Sequence, residues 1–380
     1  MSDQMAKKHQ NLRIIYASSS VVPSKYANSV HTMRICQALS KVTDHITLIV
    51  PAFPRRREKT EKTVQDFYGV SGNFQILRTL SFPKMTSFFL AFRTCIEALK
   101  HKGSIVFSRD PVTAYVSSLL GIRTIFETHS PARLVKGLKG YFFRRAILSS
   151  NTISVVVISD ALKDILVDEF DDELEAKVVV AHDGADVPIL PAQSLSGIKR
   201  AGYIGHLYQG RGIDVIVELA KRMPSVEFNI VGGRPEDVES WKSRVGNVAN
   251  LVFWGFISPS ETESFRAEMD VLLAPYQKTV FVESGMNTAE WMSPLKVFEY
   301  MSSGRPIVIS DLPVLREVLS ENEALLVPPD SIGDWESAIR KLQDDLPFAQ
   351  QIAKRSFEKL KNNFSWDKRV EHILNSTKLN

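Results

Sequence analysis

The stretch Ser293-Pro294-Leu295-Lys296-Val297-Phe298-Glu299-Tyr300-Met301-Ser302-Ser303-Gly304-Arg305-Pro306-Ile307-Val308-Ile309-Ser310-Asp311 reads as four pieces. They are a loop, a short helix opened by Pro294, a turn at Gly304-Arg305-Pro306 and a buried strand. A helix that feeds an apolar strand is part of an α/β unit. The same order sets a helix N-terminus, Lys296 and Glu299 around one pocket. Free amides and a cation suit a diphosphate, and a carboxylate suits a pair of sugar hydroxyls. The stretch reads as a site for a nucleotide-activated sugar.

Similar units recur on either side. Apolar runs at 13–17, 45–51, 74–80, 105–108, 124–127, 154–158 and 178–181 read as strands of the first half. Runs at 201–204, 227–231, 251–254, 271–274, 306–309 and 324–327 read as strands of the second. Many are unbroken Val, Ile and Leu, as expected of parallel strands covered on both faces. Helical spacing lies between them, as at 30–39, 161–169, 213–222 and 335–343. The expectation is an α/β fold of two Rossmann-like domains facing across a cleft, 1–192 and 196–365. The Pro-, Ser- and Gly-containing segment 188–197 is the expected linker. Neither a GxGxxG fingerprint nor a P-loop is present.

Composition sets the outer limits. A chain of 380 residues is comfortable for two domains. Apolar residues at 44% and charged residues at 24% mark a folded chain rather than a disordered one. The net charge of +4 permits an anionic ligand or surface without announcing nucleic acid, so no nucleic-acid partner is expected. Cys36 and Cys95 lack metal or redox spacing and read as buried thiols. The first twelve residues lack the apolar core of a signal peptide, and no apolar run approaches the ~20 residues of a membrane span. A cytoplasmic protein is therefore expected.

Ligands of open α/β sheets bind at the carboxyl ends of strands, so the residues after each strand are the site candidates. After the first strand, Ser19, Ser20 and Asn28 form a polar loop read as acceptor-side wall or ordinary capped loop, with Asn28 or Ser29 as helix cap. Arg109 follows the fourth strand and His129 the fifth, where an imidazole can bond a sugar. In the second half, Gly205 allows close backbone approach and His206 follows it. Arg211 stands where its charge opposes a helix dipole, a conflict that an anion resolves. Gly232 and Gly233 suggest another close approach. Trp254 and Phe256 either wall a base slot or pack the core.

These residues resemble the donor domain of retaining GT-B glycosyltransferases of glycosyltransferase family 4, most strongly over residues 200–330. The family's phosphate pair reads here as His206 and Arg211, with His206 in place of the usual Arg. The final Glu of its Glu-x7-Glu signature reads as Glu299. The first Glu is missing, because Trp291 stands there; Glu290 and Glu283 are the nearby carboxylates. The resemblance implies that Glu299 holds ribose hydroxyls and that His129 faces the transferred sugar. It implies that amides near Pro294 and Leu295 meet the diphosphate or the sugar, and that residues 366–380 form a helix crossing back to the first domain. The implied reaction is front-face transfer with retained configuration, Arg211 and Lys296 stabilising the leaving diphosphate. No cofactor and no metal are expected. Two alternatives stay open, a sugar-nucleotide epimerase of the same architecture and a non-catalytic sugar-nucleotide-binding protein.

The acceptor is expected to be a glycan, a lipid-linked sugar or a small molecule. Arg55-Arg56-Arg57, the Phe-rich stretch 82–92 and the basic, aromatic segment 134–147 suit peripheral docking on an anionic membrane. Amphipathic helices with solvated basic faces are the competing reading.

Overall fold

The computed structural model describes residues 11–52, 61–170, 172–188, 194–377 and 379. The chain forms two compact units. One takes the residues up to Asp183 together with those from Trp366 onward, and the other is Gly184–Ser365.

The first unit holds seven parallel strands. They are β1 (Ile14–Ala17), β2 (Ile46–Pro51), β3 (Gln75–Thr79), β4 (Ile105–Ser108), β5 (Thr124–Thr128), β6 (Thr152–Val157) and β7 (Val178–Val180), in the order β3-β2-β1-β4-β5-β6-β7. Its helices are α1 (Ala27–Ser40), α2 (Glu61–Tyr68), α3 (Thr86–Leu99), α4 (Pro111–Leu119), α5 (Gly137–Leu148), α6 (Asp160–Phe170) and α7 (Asp172–Glu175). Every residue of β1, β2, β4 and β5 is buried, as continuous apolar runs in a doubly covered sheet demand.

The second unit repeats the plan. Its strands are β8 (Arg200–Ile204), β9 (Glu227–Val231), β10 (Leu251–Gly255), β11 (Val271–Ala274), β12 (Ile307–Ser310) and β13 (Leu325–Val327), in the order β10-β9-β8-β11-β12-β13. The helices are α8 (Ile213–Arg222), α9 (Pro235–Val245), α10 (Thr262–Glu268), α11 (Leu295–Ser302), α12 (Pro313–Arg316), α13 (Ile332–Asp344) and α14 (Leu346–Lys359). After a π-helical turn, Leu360–Phe364, the last helix α15 (Trp366–Ser376) belongs to the first unit. Trp366 sets its ring edge-on to His31 at 5.1 Å, and Lys41 pairs with Asp367 at 2.8 Å.

All thirteen apolar runs read as strands are strands, displaced by at most two residues at their ends. The strand order reverses between β1 and β4, and again between β8 and β11. Such switch points open a crevice at the carboxyl ends of the strands. Both places are lined by residues singled out from the sequence.

One local expectation fails. Helix α1 begins at Ala27 after Tyr26, so Asn28 and Ser29 lie inside its first turn and do not cap it. The Ser29 hydroxyl donates backward to the carbonyls of Tyr26 at 2.8 Å and Ser24 at 3.0 Å. Helix α4 shows the capping chemistry instead. Asp110 accepts from the Thr113 amide at 2.9 Å and the Ser87 hydroxyl at 2.7 Å, with Pro111 in the first turn.

The chain passes between units at Asp183–Gly184, and the segment 188–197 falls within the second unit's range. Residues 189–193 of it, like Arg55-Arg56-Arg57, lie outside the described residues. Cys36 and Cys95 are buried free thiols, and burial pushes both thiol pKa values up. Among the described residues no helix is long and apolar enough to cross a membrane.

Candidate functional site

In the second unit, two cations converge on a pair of buried tyrosines. Helix α11 begins at Leu295 after Pro294, whose ring supplies no side-chain cap. Lys296, in that turn, sets its Nζ 3.8 Å from the Tyr203 ring centroid and 4.9 Å from that of Tyr276. The Arg211 guanidinium lies 5.4 Å from the same Tyr276 ring. Tyr203 ends in a hydrogen bond to the His206 carbonyl at 2.7 Å, and the His206 and Tyr208 rings stack at 4.8 Å. Lys296 is only 9% exposed, and its Nζ makes no hydrogen bond among the described residues. Burial, with the Arg211 charge beside it, drives the Lys296 amine well below its ordinary pKa, against the pull of Glu299. Burial pushes the Tyr276 phenol up to about 12.

The backbone closes tightly around this amine. A Cβ on Gly205 would stand 2.7 Å from Lys296 Nζ, and one on Gly232 would stand 2.1 Å from the Gly205 carbonyl oxygen. The ends of β8 and β9 therefore approach at a distance that only glycine permits. Gly233 packs against Leu207, where a Cβ would meet Cδ1 at 2.6 Å. Helix α8 starts after Gly212, whose left-handed φ of 77° turns the chain from Arg211 into the helix.

Glu299 lies one turn beyond Lys296 on α11 and pairs with Arg266 of α10 at 3.4 Å. Trp254 near the end of β10 and Phe256 just past it are both exposed, so the reading of these two rings as core is set aside. Trp254 is held at its rim, where Nε1 donates to Asn229 at 2.8 Å. Trp291 is buried, whereas Glu283 and Glu290 are exposed.

The first unit gathers a separate polar cluster at its own switch point. Arg109 extends one Nη to His31 Nδ1 and the other to His129 Nδ1, each at 3.1 Å. A guanidinium only donates, so both Nδ1 atoms accept and the His129 proton sits on Nε2. That Nε2 donates to Glu127 Oε1 at 2.8 Å. Arg369 of α15 reaches the same oxygen at 3.1 Å and the His182 carbonyl at 3.0 Å. His31 Nε2 stands 3.0 Å from Glu127 and 3.2 Å from Asp183. Burial and the Arg109 charge push His129 down to about 4, though Glu127 pulls upward. Burial raises Glu127, but His31 and Arg369 outweigh it and hold the carboxyl well below the usual range.

Arg109, Asn28 and Ser20 join this cluster. The Asn28 carbonyl accepts from Arg109 at 3.3 Å and from the Ser20 hydroxyl at 3.4 Å. Ser19 is exposed beside them. His31, His129 and Asp183 offer ligand atoms within 4.8 Å of one another. Arg109 and Arg369 already match the charges of Glu127 and Asp183, so the cluster reads as a balanced polar core. Sequence reasoning missed Tyr203, Tyr276, Arg266, Glu127, His31 and Arg369. Glu127 alone left a signal, an acid inside the apolar strand Thr124–Thr128.

This architecture is found in known structures. The chain superimposes on Anabaena Alr3699/HepE in complex with UDP and glucose with a TM-score of 0.70 at 14% identity, covering 96% of this chain and 99% of that one. On sucrose-phosphate synthase from Thermosynechococcus elongatus the TM-score is 0.66 at 16% identity, covering 96% and 97%. The fold is that of GT-B glycosyltransferases. Residues 198–345, within the second unit, match the family model described as Glycosyl transferases group 1.

Curated relatives are similar over shorter spans. Phosphatidyl-myo-inositol mannosyltransferase of Mycolicibacterium smegmatis is 29% identical over 180 residues, 45% of this chain and 43% of that protein. Alpha-galactosylglucosyldiacylglycerol synthase of Streptococcus pneumoniae is 27% identical over 124 residues, 31% and 30%. The chain spans less than half the length of the curated relatives it matches.

Proposed function

We propose that the chain is a retaining glycosyltransferase. It moves a sugar from a nucleoside diphosphate sugar to a hydroxyl of a glycan, lipid-linked or small-molecule acceptor without a metal. The observation that carries this reading is Lys296, a buried amine with no hydrogen bond among the described residues, set beside Arg211 at a helix N-terminus. Such an amine accepts a proton when a diphosphate arrives. Arg211 and Lys296 then stabilise the leaving group by electrostatic preorganisation.

The remaining roles follow the same geometry. Glu299 anchors the ribose, with Arg266 fixing its carboxylate. Gly205, Gly232 and Gly233 bring backbone close to the donor, and His206 borders the phosphates. The amides at Pro294 and Leu295 reduce to one at Leu295, since proline has no N–H. Exposed Phe256 offers a face to the base. His129 serves the transferred sugar, and a ring contact through Nδ1 requires Arg109 to yield. Two of the curated relatives carry a lipid in their names, phosphatidyl-myo-inositol in one and diacylglycerol in the other, which supports a lipid-linked acceptor.

A thermal-shift panel of nucleotide sugars, followed by transfer and hydrolysis assays, tests the reading. Donor conversion with no acceptor present makes the chain an epimerase, and binding with neither transfer nor hydrolysis makes it a binding protein. NMR of the product's anomeric centre tests retention, and an inverted product overturns it. Loss of transfer in a chelator overturns metal independence.

A further inference from the structure

Helix α3 is built inside out. Its buried residues are mostly small or polar, Ser87, Ala91, Thr94, Cys95 and Ala98, with Leu90. Phe88, Phe92, Ile96 and Leu99 point to solvent, Phe92 67% and Leu99 61% exposed. Their spacing puts all four on one face, the reverse of an ordinary surface helix. Helix α5 and the turn before it repeat the pattern with exposed Leu134, Leu138, Tyr141 and Leu148. The two faces are joined, because Phe88 meets Phe142 at 5.9 Å and Tyr115 of α4 meets Phe142 at 5.7 Å. A contiguous apolar strip of this kind marks an interaction surface.

Charge identifies the partner. Residues 80–103 and 131–150 together contain nine Lys and Arg and one acid, Glu97, a net of eight positive charges. The whole chain carries only +4, so the rest is net negative. Lys84, Lys136, Lys139 and Arg144 are exposed and form no ion pair among the described residues. We propose that the α3–α5 face docks on an anionic lipid bilayer, its phenylalanines and leucines entering the headgroup boundary and its cations meeting lipid phosphates. A second copy of the chain fits poorly, since it would set one cationic face against another.

Vesicle sedimentation of the full chain tests this, and it needs no sugar donor, so its outcome is independent of the transferase reading. The chain is expected to sediment with phosphatidylcholine–phosphatidylglycerol vesicles, not with phosphatidylcholine alone, and less as salt rises. Lys139→Ala and Arg144→Ala should each lower partitioning about fivefold. Phe92→Ser should lower it about tenfold or more with an unchanged thermal melt, since the ring is exposed. Equal sedimentation with both vesicles, sedimentation with neither, or a dimer that Phe92→Ser dissolves would each overturn the proposal.

Discussion

Arg369 donates to Glu127 at 3.1 Å across 242 positions of sequence, with both side chains almost wholly buried. The last helix is thereby tied to the carboxylate that orients His129. Arg369→Met leaves Glu127 buried without its guanidinium, and breaking such a pair costs about 3–5 kcal/mol. Urea unfolding should show the loss, and adding Glu127→Gln should recover part of it. An unchanged midpoint in Arg369→Met would refute the coupling.

His129 gives the first unit a pH dependence of known sign. Its folded pKa of about 4 lies below the ordinary 6.5, so between those values the unfolded chain binds the proton. Stability contributed by neutral His129 should fall as pH drops from 6.5 toward 4 and change no further below that. Gln at position 129 can donate to Glu127 and accept from Arg109 without titrating. The difference between wild-type and His129→Gln melting curves isolates the effect, and parallel curves through that window would exclude it.

Under the proposed function, Lys296 makes donor binding a proton-uptake reaction. The free amine lies well below its ordinary pKa, and a bound diphosphate raises it. Between the two values the complex holds one more proton, so donor affinity should fall as pH rises, at most about tenfold per unit. Calorimetry in buffers of different ionisation enthalpy measures the uptake. Lys296→Met should abolish it and lower kcat about 10²–10³-fold.

The two close glycines should respond differently. Alanine at Gly232 meets backbone at 2.1 Å and should cost about 1–3 kcal/mol of stability. Alanine at Gly205 meets the flexible end of Lys296, so it should weaken donor binding more than stability. Paired denaturation and binding measurements decide the order.

The strands were legible because parallel strands covered on both faces are written as unbroken Val, Ile and Leu. The residues after β4, β5, β8 and β9 could be singled out as candidates because ligands of open α/β sheets bind at the carboxyl ends of strands. The α1 cap was misread because a serine hydroxyl can donate back to carbonyls as readily as accept from amides. Arg266, Tyr203, Tyr276 and Arg369 act through partners distant in sequence, and no local pattern announces such a pairing. The outward face of α3 was only half legible, since a stretch rich in phenylalanine reads the same whether its rings point in or out.

A ribosome adding about 5–20 residues per second needs roughly ten to forty seconds to pass from Asp183 to Trp366. Throughout that interval the nascent first half is exposed with its central carboxylate lacking a guanidinium. Full stability of the first unit is therefore expected only once the C-terminal segment has been made, and a synthetic peptide of residues 366–379 added in trans to a truncated 11–183 fragment should raise its unfolding midpoint.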